Sequence, residues 1–201
     1  MRLDWIKASE KDPDDKVRVH KGFSEQYNAV RNDLWAVVQL RIDEFPDTSE
    51  ILITGHSLGG ALTTMCALDF RLRQSQGQFG GRGEEIQISA YPLAAPRTGN
   101  SKFRELFSAN VATCDRLVLE KDWIPSMPPK KFGYQHVGRK IKLQTKEFVF
   151  KSNRARWTVG SVVEPKHIPV GICFIWTGKI IFFNPFLILL KTNERTHLLR
   201  I

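Results

Sequence analysis

Residues Gly55-His56-Ser57-Leu58-Gly59-Gly60 set one serine between glycines two places before it and two places after it. A serine hydroxyl is a weak nucleophile until a base takes its proton, so the chemistry such a pattern serves is acyl transfer by an activated alcohol. A nucleophile at the tip of a strand-to-helix turn needs strained backbone angles and close approach by its neighbours, which Gly55 and Gly59 permit. "EILIT" before the serine reads as a buried strand, and "LGGALTTMCALDFRLRQ" after it as a helix. Ser57 then stands at a helix N-terminus, where free N–H groups favour a developing negative charge. The Leu58 N–H is the expected oxyanion donor.

An activated serine also requires a base and a group that orients the base. Asp122, set off from the strand "DRLVLE" by Lys121, falls on the loop side of a sheet, where such sites assemble. Its spacing serves a turn or cap aspartate before Pro125 equally well. Five histidines are available: His20, His56, His136, His167 and His197. His56 neighbours the serine but points away from it in a turn of this kind, and His20 reads as packing or hydrogen bonding beneath the site.

The elements that must position these residues alternate. Ser24 is the expected N-cap of a helix reaching about Phe45, with Phe23, Tyr27, Val30, Leu34, Val37, Val38 and Ile42 on its apolar face. "IQISAY" is a second strand, a short helix runs from Ser101 to about Ser108, and "DRLVLE" is a third strand. Strand and helix in alternation predict an α/β fold with a largely parallel sheet. "GRKIKLQTKEFVF" reads as two extended segments.

The 201 residues suit a single domain, 1–201, and 42% hydrophobic content is enough for a core. Cys66, Cys114 and Cys173 are odd in number and lack C-x-x-C spacing, which favours buried thiols over disulfides or zinc. The net charge of +9 is concentrated: residues 130–156 hold nine Lys or Arg against one acid, Glu147. That stretch suits peripheral contact with anionic lipid, while no nucleic-acid motif accompanies it. The start shows no signal peptide. "VGICFIWTGKIIFFNPFLILL", 170–190, is nearly all apolar, but Lys179 and Asn184-Pro185 divide it into strand-sized pieces, so buried strands are preferred to a membrane span.

Four segments together, "VHKGF" (19–23), "ITGHSLGGAL" (53–62), "APRTGN" (95–100) and "DWIPSMPPKKFGYQHVG" (122–138), resemble the class 3 lipases, the fungal triacylglycerol lipase type of α/β-hydrolase. The resemblance covers residues 17–141; the tail, 160–201, is atypical. It implies an α/β-hydrolase sheet flanked by helices and a Ser-Asp-His triad that cleaves carboxylic esters of acylglycerols without metal or cofactor. Ser57 matches the nucleophile, Asp122 the acid and His136 a structural position. The family's catalytic histidine lies further on, which leaves His167 and His197; His167 is preferred because 197 sits at a fraying end. The resemblance also implies a missing upstream strand that carries the second oxyanion donor, hence an N-terminally truncated sheet. The alternative it leaves is a catalytically impaired lipid or membrane binding protein.

Overall fold

The computed structural model describes the backbone of residues 5–6, 16–80, 86–143, 147–152, 155–160, 186–192 and 196–199, with side chains over 16–80, 86–143 and 188–192. Two short strands, β1 (Trp5–Ile6) and β2 (Val19–His20), pair in parallel. Helix α1 (Lys21–Glu44) follows directly. It starts three residues ahead of the expected cap, Ser24, which is fully buried inside the helix. Tertiary anchors decide this start. Val19 bridges Gly99, and the His20 N–H donates to the Thr98 carbonyl at 2.8 Å, so the chain is already fixed before Ser24.

Tyr27, Leu34, Val38 and Ile42 of α1 are buried, as their spacing predicts, but Val30 and Val37 are 38% and 37% exposed. At 100° per residue they lie roughly 75–95° off the centre of the buried stripe, at its margin. That neighbour is α2 (Leu58–Ser75), which begins after strand β3 (Glu50–His56). The two helices are tied by Asp69 of α2, only 3% exposed. Its carboxylate accepts from the Tyr27 hydroxyl at 2.9 Å, from Arg31 Nε at 2.9 Å and from Arg73 Nε at 3.1 Å. Burial, ahead of the acidic neighbours, pushes the Tyr27 phenol well above its ordinary range.

Strand β4 (Gln87–Leu93), helix α3 (Ser101–Asn110) and strand β5 (Thr113–Leu119) continue the alternation. After two 3₁₀ turns, Ile124–Ser126 and Lys130–Phe132, come β6 (Arg139–Leu143), the hairpin β7 (Glu147–Ser152) and β8 (Ala155–Gly160), then β9 (Phe186–Lys191) and β10 (Thr196–Leu199). The main sheet has the order β10-β9-β3-β4-β5-β6. Its central run β3, β4, β5 and β6 is parallel, whereas β9 lies antiparallel against β3 and β10 antiparallel against β9.

Strand alternation splits the core. Ile51 and Ile53 of β3 join Ile88, Ala90, Ile188 and the buried faces of all three helices. Leu52 points to the other face, with Tyr91 and Leu117. The part of the apolar run described, 186–190, is thus strand; 170–185 lies outside the described residues. Among the described residues no helix is long and apolar enough to cross a membrane. Cys66 and Cys114 are free and buried. Cys173 lies outside the described residues.

Candidate active site

Parallel strands deliver their C-terminal ends to one edge of the sheet, and both Ser57 and Asp122 stand there, beyond β3 and β5 with β4 between them. Ser57 has φ 54° and ψ −117°, in the left-handed region that a residue with a side chain occupies at a cost of about 1–3 kcal/mol. A serine capping a helix ordinarily turns its oxygen back onto the first-turn N–H groups. This one makes no capping bond, and its hydroxyl has no partner among the described residues. Ser57 is half-buried, next to the Leu58 N–H at the first position of α2.

The turn can be this tight because α2 packs directly on the strand ends. A Cβ placed on Gly60 would lie 2.7 Å from the Ala95 Cβ and 3.1 Å from the carbonyls of Gly55 and Leu93. The Ser57 N–H donates to the Leu93 carbonyl at 2.9 Å. One residue on, Ala94 also has positive φ, 49°, and its N–H reaches the Leu117 carbonyl of β5 at 2.8 Å. Leu93 and Ala94 thus join the serine turn on one side to the acid-bearing strand on the other.

Asp122 is half-buried at the start of its loop, its N–H bonded to the Leu119 carbonyl. Oδ1 accepts from the Ile124 N–H at 3.0 Å, which fixes the carboxylate's orientation and leaves Oδ2 without a bond among the described residues. The loop beyond is held from outside. The Arg97 N–H donates to the Met127 carbonyl at 2.7 Å, and its guanidinium Nη1 donates to the carbonyls of Ser126 and Pro128. His136 Nε2 donates to the Pro125 carbonyl at 2.7 Å. Burial, reinforced by the Arg116 charge, drives the His136 pKa from its usual 6.5 down to about 4, so the ring is neutral at physiological pH.

Three of the histidines are placed with side chains. His136 is committed to Pro125; His56 is exposed on the strand. His20 packs its ring 4.2 Å from Phe23 and 6.0 Å from Tyr134, and its buried Nδ1 has no hydrogen-bond partner. His167 lies outside the described residues. His197, by backbone register, sits opposite Leu190, which in turn sits opposite Ile51 near the start of β3. Six residues at about 3.3 Å each separate Ile51 from Ser57, about 20 Å along the sheet. His197 is therefore at the wrong end to serve as base.

The role of "APRTGN" shows only in the folded chain. Arg97 grips the acid loop, Thr98 bonds Thr64 of α2 at 2.9 Å, and Gly99 lies where a Cβ would meet the Arg18 carbonyl at 2.4 Å. Asn100 caps α3 through the Phe103 N–H at 3.0 Å while also accepting from the Arg18 N–H. A cavity of about 530 Å³ opens at the opposite end of the sheet, between α3 and the starts of β5 and β6, and touches none of the candidate residues.

Residues 2–132 match the family described as Lipase (class 3). The chain belongs to the class 3 lipase family. It is 34% identical to a lipase of Rhizomucor miehei over 122 residues, 61% of this chain and 32% of that one. The Rhizomucor miehei lipase–propeptide complex superposes with TM-score 0.55 and 32% identity, over 63% of this class 3 lipase chain and 39% of the other. A triacylglycerol lipase reported to have a serine protease triad as its catalytic centre superposes with TM-score 0.55 and 33% identity, over 67% and 48%. This class 3 lipase chain spans about a third of the length of the curated relatives it matches. The fold is accordingly the α/β-hydrolase fold expected.

Proposed function

We propose that the chain is a lipase-like serine hydrolase acting on carboxylic esters of acylglycerols or related lipids through an acyl-Ser57 intermediate. The observation that carries this reading is the uncapped Ser57 hydroxyl at a strained turn, beside a free helix N-terminus. In the proposed reaction Ser57 Oγ attacks the ester carbonyl as its proton passes to a histidine. The oxyanion is held by the Leu58 N–H, and collapse expels the alcohol and leaves an acyl-serine that water then cleaves. His167 is the proposed base, with Asp122 Oδ2 fixing its tautomer. Family membership supports the lipid ester as substrate, and the cationic excess over 130–156 supports peripheral contact with anionic lipid.

Hydrolysis of a short nitrophenyl ester tests the chemistry. Ser57→Ala is expected to abolish it. Asp122→Asn keeps an acceptor for the Ile124 N–H and hence the fold, yet is expected to lose about 10⁴-fold in turnover. Unchanged hydrolysis in either variant overturns the assignment, and His167→Ala tests the base in the same assay.

A further inference from the structure

Arg116 of β5 is only 6% exposed, yet its Nε has no hydrogen-bond partner among the described residues. A buried guanidinium is ordinarily met by a carboxylate or by carbonyls, because an unmet charged donor is costlier than a neutral one. The acids closest to it in sequence are turned elsewhere. Asp115 projects to the opposite face of the sheet, where its two oxygens accept from Arg139 at 2.8 and 2.7 Å. Glu120 is exposed, and Asp122 gives Oδ1 to the Ile124 N–H.

A second cation stands beside Arg116. Arg97 commits Nη1 to the carbonyls of Ser126 and Pro128, but its Nε is likewise buried and without a partner among the described residues. The backbone brings the two together: the Ala94 N–H bonds the Leu117 carbonyl, next to Arg116, and three residues later the Arg97 N–H bonds Met127. His136, bonded to Pro125 of the same stretch, completes the cluster. Burial is the larger cause of the lowered pKa of both Arg116 and His136, but the Arg97 charge lowers both as well, and the Arg116 charge lowers that of His136. Two like charges therefore face each other with a neutral ring between them and no acid bonded to either among the described residues. An anion bonded to both would turn that repulsion into attraction and meet two buried donors at once.

We propose that Arg97 and Arg116 form an internal anion site, in which one small inorganic anion accepts from both Nε groups and ties the Pro125–Pro128 stretch to β5. A guanidinium serves chloride and an oxyanion such as phosphate alike. The occupant acts on the loop rooted at Asp122, and its binding is measured without the proposed ester hydrolysis.

The test is urea denaturation of the full chain at one ionic strength, set first with sodium gluconate, whose anion is too bulky for a buried site, and then with chloride or phosphate in its place. At ten times its dissociation constant, the bound anion is expected to raise the folding equilibrium constant about tenfold and to slow hydrogen exchange at the Ile124, Ser126 and Met127 amides. A response to chloride alone makes the occupant a halide, and a response to phosphate alone an oxyanion. A chain equally stable in all three salts overturns the site. Arg116→Met keeps the apolar stem and drops the charge, so it is expected to erase the anion response and to be at least as stable as the parent in gluconate. Loss of stability in gluconate with the response intact would make Arg116 a packing residue and overturn the site. Arg116→Lys keeps the charge without the fork and is expected to weaken anion affinity about tenfold; unchanged affinity contradicts the assignment. Lys130→Gln, on the exposed surface, is expected to keep the response within about twofold. A response that falls as far there as in Arg116→Met marks general screening of the +9 net charge, which also overturns the site.

Discussion

Ser57 is held by the residues on either side of it, with β3 ending at His56 and α2 starting at Leu58, and by glycines within three positions. The loop after Asp122 is held by Arg97, whose guanidinium bonds lie 29 and 31 positions away, and by His136, 11 positions from the carbonyl it binds. The first region is a local device that stores strain in buried, close-packed backbone. The second is an exposed loop given shape by long-range donors. The proposed nucleophile needs fixed backbone at one point, whereas the loop holds the proposed acid at its root. Segment 93–98 serves both, through Leu93 on the serine turn and Arg97 on the loop.

Four substitutions separate the two regions. Arg97→Ala removes a charged donor from the Ser126 and Pro128 carbonyls and is expected to cost about 2 kcal/mol. Hydrogen exchange at the Ile124, Ser126 and Met127 amides should accelerate, while exchange in the middle of α2 holds; equal acceleration in both would mean the regions are one unit. Gly60→Ala acts on the other side. A helical Gly→Ala ordinarily gains about 1 kcal/mol. Overpacking against Ala95 at 2.7 Å should outweigh this, for a net loss of about 1–2 kcal/mol by urea denaturation. Ala95→Gly in that background should recover part of it.

His136 supplies a pH signature for the loop alone. Its pKa is lowered in the fold, so an unfolded ring near 6.5 takes up a proton that the folded ring, near 4, refuses. Its contribution is complete above pH 6.5 and is lost as pH falls toward 4. The loss is about 1–2 kcal/mol once discounted for a ring that is not fully buried. His136→Gln keeps an N–H for the Pro125 carbonyl and should flatten that part of the stability profile, measured against the parent. The smallest effect is the most telling for the serine turn. Ser57→Gly relieves the positive φ and is expected to raise stability by about 0.5–1 kcal/mol, where Ser57→Ala should not.

The same contrast explains what could be read from sequence. The strand, the glycines, the serine and α2 are adjacent along the chain, so the turn was legible in ten residues. The alternation of strand and helix likewise sufficed for a largely parallel sheet, and the split of "GRKIKLQTKEFVF" into β6 and β7 was visible in its pattern. The start of α1 was not, because Thr98 and Gly99 hold His20 and Val19 from some eighty positions away while Ser24 offers only a local cap signal. Nor was the place of β9, whose antiparallel register on β3 depends on a partner more than a hundred residues earlier. Arg97 was quoted only as part of a motif, since nothing near it in sequence announces the carbonyls it binds.

The proposed chemistry requires the Ser57 hydroxyl, at its strained and uncapped turn, to be a nucleophile. The most direct measurement is reaction of the native chain with a fluorophosphonate, followed by peptide mass mapping. A single phosphonyl adduct on Ser57, lost in Ser57→Ala and on prior denaturation, is the expected outcome. A folded chain that takes no adduct, or takes it on another serine, would contradict it.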